Sequence, residues 1–369
     1  MSNTPSLSEF GHGTFKQAGR SAIGSRPLLI ILGEYSNYPA FNSVHSLDYY
    51  ELLGFGNPVP PFSTQNPVNP ASLREYFCEN SNGRFWFDSV EVVEPIQLGV
   101  YSGADDPGPE ARSAGILKRV AALRPELFIN ADTNQDQHVG FDELCVLLFE
   151  NISPLWPANR DNNSFSITSD SWNGTVRVHV AGAGPVTPFY QIAHELSHSL
   201  GTVDMYNTGQ GNYLLTLMSY YSFDSNDQGT VHLDIWHKLM LGWVEPRLFQ
   251  LLPSGSAVVH EGVDGAILLW DQTRLTNEYF LIERRSSNSP NLKYDTSFPG
   301  DGVLIWHVQK GVVNRVSHLG APDLIPGGSG VWGTGRKTPS LRWNNGQSTG
   351  VRITVTGMAD GVMQVSWGE

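Results

Sequence analysis

Apolar residues along this chain fall into two rhythms. Leu28-Leu29-Ile30-Ile31-Leu32 is a continuous apolar run, the pattern of a strand buried on both faces. Phe85-Trp86-Phe87, Val90 to Val93 and Thr175 to Val180 also read as strands. Then the spacing changes. Phe189, Ile192, Ala193, Leu196 and Leu200 recur at helical intervals, and Pro185 suits a helix start. After about residue 250 the pattern becomes short alternating or apolar segments: Ala257 to His260, Ala266 to Trp270, Glu278 to Ile282, Val303 to Val308, Val351 to Val355 and Met363 to Trp367. Gly, Pro, Asn and Asp separate them, which is the signature of an all-β module.

Two stretches stand outside these elements. Residues 1 to 25 are rich in Ser, Gly and Thr and read as a tail; residues 57 to 70 are proline-rich and read as an extended loop. The expected organisation is a tail over 1–25, an α+β domain over 26–250, and a β-rich module over 251–369.

The helix after Thr175–Val180 carries the chemistry. His194-Glu195-Leu196-Ser197-His198-Ser199-Leu200-Gly201-Thr202-Val203-Asp204 reads H-E-x-x-H-x-x-G-x-x-D. Histidines four apart share one helical face and can clasp a single metal ion. Glu195 lies between them as a candidate general base. Gly201 can adopt the positive φ that ends a helix and turns the chain, bringing Asp204 round as a third ligand. Two imidazoles, one carboxylate and an open position describe a zinc hydrolase. Downstream, Leu217-Met218-Ser219-Tyr220-Tyr221 looks like a Met-turn, with Met218 beneath the ligands and Tyr220 placed to donate to a developing oxyanion.

These motifs resemble the immune inhibitor A family of zinc metallopeptidases, within the metzincin-like group. The resemblance extends to Ser72–Phe77 with Ser81–Arg84, Asp234–Val244, Glu278–Arg285 and Pro299–His307, and runs with gaps from about residue 26 to about residue 310. It implies a mixed sheet over an active-site helix, His194 and His198 as zinc ligands, Glu195 as general base and Asp204 as third ligand. Many metzincins use a histidine in that last place, so another acid remains the alternative. It also implies a peptide or protein substrate and an extracellular enzyme, although the visible N-terminus has no basic or apolar signal region. A binding protein on a peptidase scaffold, and a zinc amidase acting on small or cell-wall peptides, are the other readings. No G-x-S-x-G elbow suggests a serine hydrolase.

A second metal motif precedes the helix. Asp132-Thr133-Asn134-Gln135-Asp136-Gln137-His138-Val139-Gly140-Phe141-Asp142-Glu143 matches a twelve-residue EF-hand loop. Asp132, Asn134 and Asp136 supply side-chain oxygens at positions 1, 3 and 5. His138 supplies its carbonyl at position 7, and Glu143 two oxygens at position 12. Gln137 stands where the pattern wants Gly, so the turn there is strained. Helices are expected at Gly115–Leu123 and Phe141–Phe149, giving an inserted helix–loop–helix over about 112–151 that binds calcium.

Charge and composition narrow this picture. A net charge of 23 − 36 = −13 argues against a nucleic-acid footprint. No apolar run is long enough to span a membrane. Two cysteines, Cys78 and Cys145, allow one bridge or two free thiols. Trp306, Trp332, Trp343 and Trp367 read as core residues, with a sugar- or peptide-binding face as the rarer alternative.

Overall fold

A computed structural model describes residues 4–17, 20–56, 72–152, 158–169, 171–205, 215–219, 231–289, 292–295, 297–309, 322–324, 330–359 and 361–369. The proline-rich loop expected over 57–70 lies outside them. The fold is α+β. Two compact units are distinguished, one comprising Phe15–Cys78 and Gly83–Thr202, the other Met1–Thr14, Glu79–Asn82 and Val203–Glu369.

In the first unit, a mostly parallel sheet runs in the order Phe85–Gly99, Gly24–Tyr35, Cys145–Glu150, Asn173–Ala183, His138–Val139. Ala158–Thr168 pairs antiparallel with Asn173–Ala183. One face buries Leu29, Ile31, Val146, Leu148, Val176, Val178 and Val180 against the helix Pro109–Leu123, through Ile116, Leu117 and Val120. Residues of opposite parity point the other way. There Phe149 meets Tyr50 of the helix Leu47–Phe55, with ring centroids 4.9 Å apart and an interplanar angle of 63°. That helix approaches closely because Gly54 has no side chain: a Cβ there would stand 2.6 Å from Val90.

The expected helix over Phe141–Phe149 is not formed. Cys145–Glu150 is instead a central strand, parallel to Gly24–Tyr35 and to Asn173–Ala183, with every residue buried. A short continuous apolar run reads the same in a buried strand and a buried helix, and the sheet supplies partners on both edges. The acidic loop therefore joins a helical segment, Glu126–Ile129, to a strand, so the segment expected over 112–151 is not a helix–loop–helix. Both cysteines are free thiols, and burial pushes the Cys145 thiol upward in pKa.

The second unit holds the β-rich part. A five-stranded sheet runs Pro322–Leu324, Asp301–Gln309, Glu278–Ser286, Ile267–Trp270, Arg247–Gln250, and a three-stranded sheet runs Gly255–Val259, Val362–Gly368, Arg352–Ala359. Between them lies one core of Ile267, Leu269, Phe280, Ile282, Ile305, Ile353, Val355 and Val365. Trp332, Trp343 and Trp367 belong to that core, and Trp306 is fully buried, so these four form no exposed binding face. All nine residues of Glu278–Ser286 are buried, which requires cover on both sides.

Part of that cover is unexpected. Residues assigned to a polar tail are part of the second unit's packing: Phe10 is fully buried, its ring meets Tyr279 edge-on at 5.0 Å, and Tyr279 donates to its carbonyl. The amide of Gly13 donates to Leu239 in the helix Ile235–Leu241. Phe10 is one aromatic in a polar stretch, too sparse a pattern to announce burial. No helix among the described residues is long and apolar enough to cross a membrane.

Candidate metal centre

The strand Asn173–Ala183 leads, through a turn ending at Pro188, into the helix Phe189–His198. Pro188 stands at the N-cap, three residues beyond the Pro185 favoured from sequence. Proline is tolerated there because the first amides of a helix have no partner within it. Phe189, Ile192, Ala193 and Leu196 are buried as the spacing predicts, and Phe189 meets Tyr76 edge-on. Asn159 of the antiparallel edge strand donates to the carbonyl of Glu195 at 3.2 Å.

His194 and His198 sit one turn apart with ring centroids 5.0 Å from each other. Gly201 has φ +102°, and the amides of Leu200 and Gly201 bond back to Ser197 and His198. The chain turns, and Asp204 returns: one ligand atom from each of His194, His198 and Asp204 lies within 4.8 Å of the others. His194 is buried; Glu195, His198 and Asp204 are half-buried.

The donor set suits a divalent transition metal. Two imidazole nitrogens and one carboxylate oxygen are the ligand types of catalytic zinc sites that keep a position open. Nδ1 of His198 lies 2.9 Å from the carbonyl oxygen of Thr202. A carbonyl only accepts, so Nδ1 carries the proton and Nε2 keeps its lone pair for a metal.

The loop that carries Asp204 is held from both sides, and this was not legible in the sequence. Nε2 of His237 lies 3.1 Å from the carbonyl oxygen of Val203 and 3.4 Å from its amide nitrogen. The amide of Met205 donates to the carbonyl of Met218 at 2.9 Å. His237 is itself fixed, with Nδ1 2.6 Å from Oδ2 of Asp234, and both side chains are fully buried. Asp234 caps the helix Ile235–Leu241 by accepting from the amides of Trp236 and His237. It also accepts from the Thr216 hydroxyl at 2.7 Å. Burial alone would raise the Asp234 pKa, but attraction to His237 and these hydrogen bonds outweigh it and hold it at about 2. An Asp before an apolar run is a helix-start signal. Nothing local says that the ring three residues on reaches Val203.

Leu217–Ser219 forms a single 3₁₀ turn with Met218 fully buried. Leu217 is bonded to the carbonyl of His232 and Thr216 to Asp234. Arg285 donates to the carbonyl of Leu215 and pairs with Asp295, which accepts from the amide of His232. Tyr220 lies outside the described residues.

The second motif also comes together. Asp132, Asp136 and Glu143 offer oxygens within 4.8 Å of one another. Asp132 accepts from the amides of Asp136 and Gln137, and Asn134 from the amide of Asp136. Glu143 accepts from Thr133, Asn134 and Gly140. Gln137 has φ +64°, the strained geometry expected where the pattern wants Gly. His138 begins a short strand beside Thr175, and Trp172 donates its indole N–H to Asp132 at 2.7 Å. The loop is thus tied to the turn before Asn173–Ala183, the strand that leads to the histidine helix.

No protein-family model matches the chain, and no curated protein is significantly similar to it.

Proposed function

We propose that this chain is a zinc-dependent metalloendopeptidase that hydrolyses peptide bonds in proteins. The observation that carries the reading is the convergence of His194, His198 and Asp204 ligand atoms within 4.8 Å, with Glu195 between the histidines. Those three residues would hold zinc. When bound, zinc polarises a scissile carbonyl and makes water more acidic.

The chain's own groups supply the rest. The Glu195 carboxylate accepts a proton from the attacking water and returns it to the leaving amine. Water is thereby added across the bond: the C–N bond breaks, the water oxygen and one hydrogen become part of the new carboxyl group, and the other hydrogen passes through Glu195 to the leaving nitrogen, which regenerates the base. The Thr202 carbonyl keeps His198 in one tautomer. Tyr220, by resemblance, would donate to the oxyanion.

The α+β architecture, with a parallel sheet, an antiparallel edge strand and a Met218 turn, agrees with membership of the immune inhibitor A family and a metzincin-like fold. The Asp132–Glu143 loop would hold calcium as a structural clamp, through Asp132, Asn134, Asp136, the His138 carbonyl and Glu143. Millimolar extracellular calcium fills even a weak site of this type, which suits a secreted enzyme.

Casein or fluorogenic-peptide hydrolysis with and without 1,10-phenanthroline tests the activity. Chelator-sensitive cleavage is expected. No cleavage by the zinc-loaded protein would favour a binding protein on a peptidase scaffold. Cleavage confined to small or cell-wall peptides would favour an amidase.

A further inference from the structure

We infer that His237 is a positioning residue for the metal centre, setting the place of Asp204 through the main chain of Val203. The inference rests on the zinc reading above and goes beyond it, because the zinc motif contains no information about His237.

Three observations converge. First, Asp204 is bracketed: His237 meets the main chain of Val203, and Met218 receives the amide of Met205. A residue pinned at both neighbours has little backbone freedom, so its carboxylate returns to one place. Second, His237 cannot swing. Its other nitrogen faces Asp234 at 2.6 Å, and Asp234 is anchored by two helix amides and the Thr216 hydroxyl. Third, the relay is dry. Asp234, His237 and Thr216 are fully buried, so no solvent competes for these bonds. Buried polar groups persist only when satisfied, and here the satisfied partner is the peptide next to a ligand.

The chemistry of metal sites gives the expected size. An oxygen ligand delivered by a floppy loop must be ordered when the metal binds, and that ordering subtracts from affinity. Groups that orient ligands from behind typically change metal affinity by about 10- to 100-fold when removed. His237 would act one peptide further back, so the lower end of that range applies.

The test is zinc affinity, read by competition with a chromophoric chelator, on the full chain and without any activity assay. His237→Gln keeps an amide N–H that can reach Val203; His237→Met has similar length and no donor. We expect Met to weaken zinc binding about tenfold and Gln to stay within about threefold. In an Asp204→Ala background the Met substitution should change affinity less than about twofold, since its route is gone. With cobalt in place of zinc, the visible spectrum of His237→Met should move toward that of Asp204→Ala. Circular dichroism checks folding. Should the Met variant not fold, His237→Asn, too short to reach Val203, takes its place. Equal affinities for wild type and His237→Met, or full additivity with Asp204→Ala, overturns the inference. His194→Ala separates the two ideas: if it weakens binding while His237→Met does not, only the positioning role fails. If His194→Ala binds zinc as wild type does, the zinc reading and this inference fall together.

Discussion

Nδ1 of His198 and the carbonyl oxygen of Thr202 lie 2.9 Å apart, across the turn that ends the motif helix. This contact fixes the ring's tautomer, and it exists because Gly201 turns the chain at φ +102°. An L side chain is strained there by roughly 1–3 kcal/mol. Gly201→Ala should lower the urea midpoint accordingly and weaken zinc binding, since both the Thr202 carbonyl and Asp204 follow the turn. An alanine variant with unchanged midpoint and affinity would show that the turn does not set the site.

Glu195→Gln should retain zinc while losing roughly 10²- to 10⁴-fold in peptide hydrolysis, the span of general acid–base effects. Metal content and cleavage rate measured on one preparation decide it. Full activity with metal bound rejects Glu195 as the base.

Asp204→Ala should strip most of the zinc on dialysis, because two histidines alone make a weak site. Elemental analysis of the dialysed variant is the measurement. If zinc content matches wild type, another acid is the third ligand.

Calcium should raise the melting temperature, and Glu143→Gln should remove most of the rise. Trp172 emission should change with calcium, since its indole bonds to Asp132. Gln137→Gly should strengthen the response by relieving a positive φ, worth about 1 kcal/mol. A melting temperature and emission indifferent to calcium would leave the loop as an acidic connector.

Asp234 predicts a pH effect. Its carboxyl sits at about 2 in the folded chain against an ordinary 3.8. A folded-state pKa below the unfolded one stabilises above the unfolded value and is lost as pH falls. The window is therefore from about pH 4 down to about pH 2, and the size is roughly 2 kcal/mol. Urea titrations across that window should show a shallower decline for Asp234→Asn than for wild type. Identical slopes would mean that other buried acids dominate acid unfolding.

The motif was legible because helix geometry alone places residues four apart on one face. His194, His198, Glu195 and the Gly201 turn needed no distant partner to be read. The strands Gly24–Tyr35, Asn173–Ala183 and Glu278–Ser286 were legible for the same kind of reason, since buried strands write runs of apolar residues. Cys145–Glu150 was not: its apolar run suits helix or strand, and two waiting sheet edges decided for strand. That choice removed the second helix of the supposed hand while keeping its oxygens together.

What the sequence determined by itself is local: the spacing of ligands, the turn after them and the alternation of the sheets. What only the tertiary structure decided is reach. Phe10 docks beside Tyr279, and His237 grips Val203 across more than thirty positions of chain. Such contacts depend on where folding brings distant backbone. A histidine buried against an aspartate reads in sequence like any other polar residue on an apolar helix.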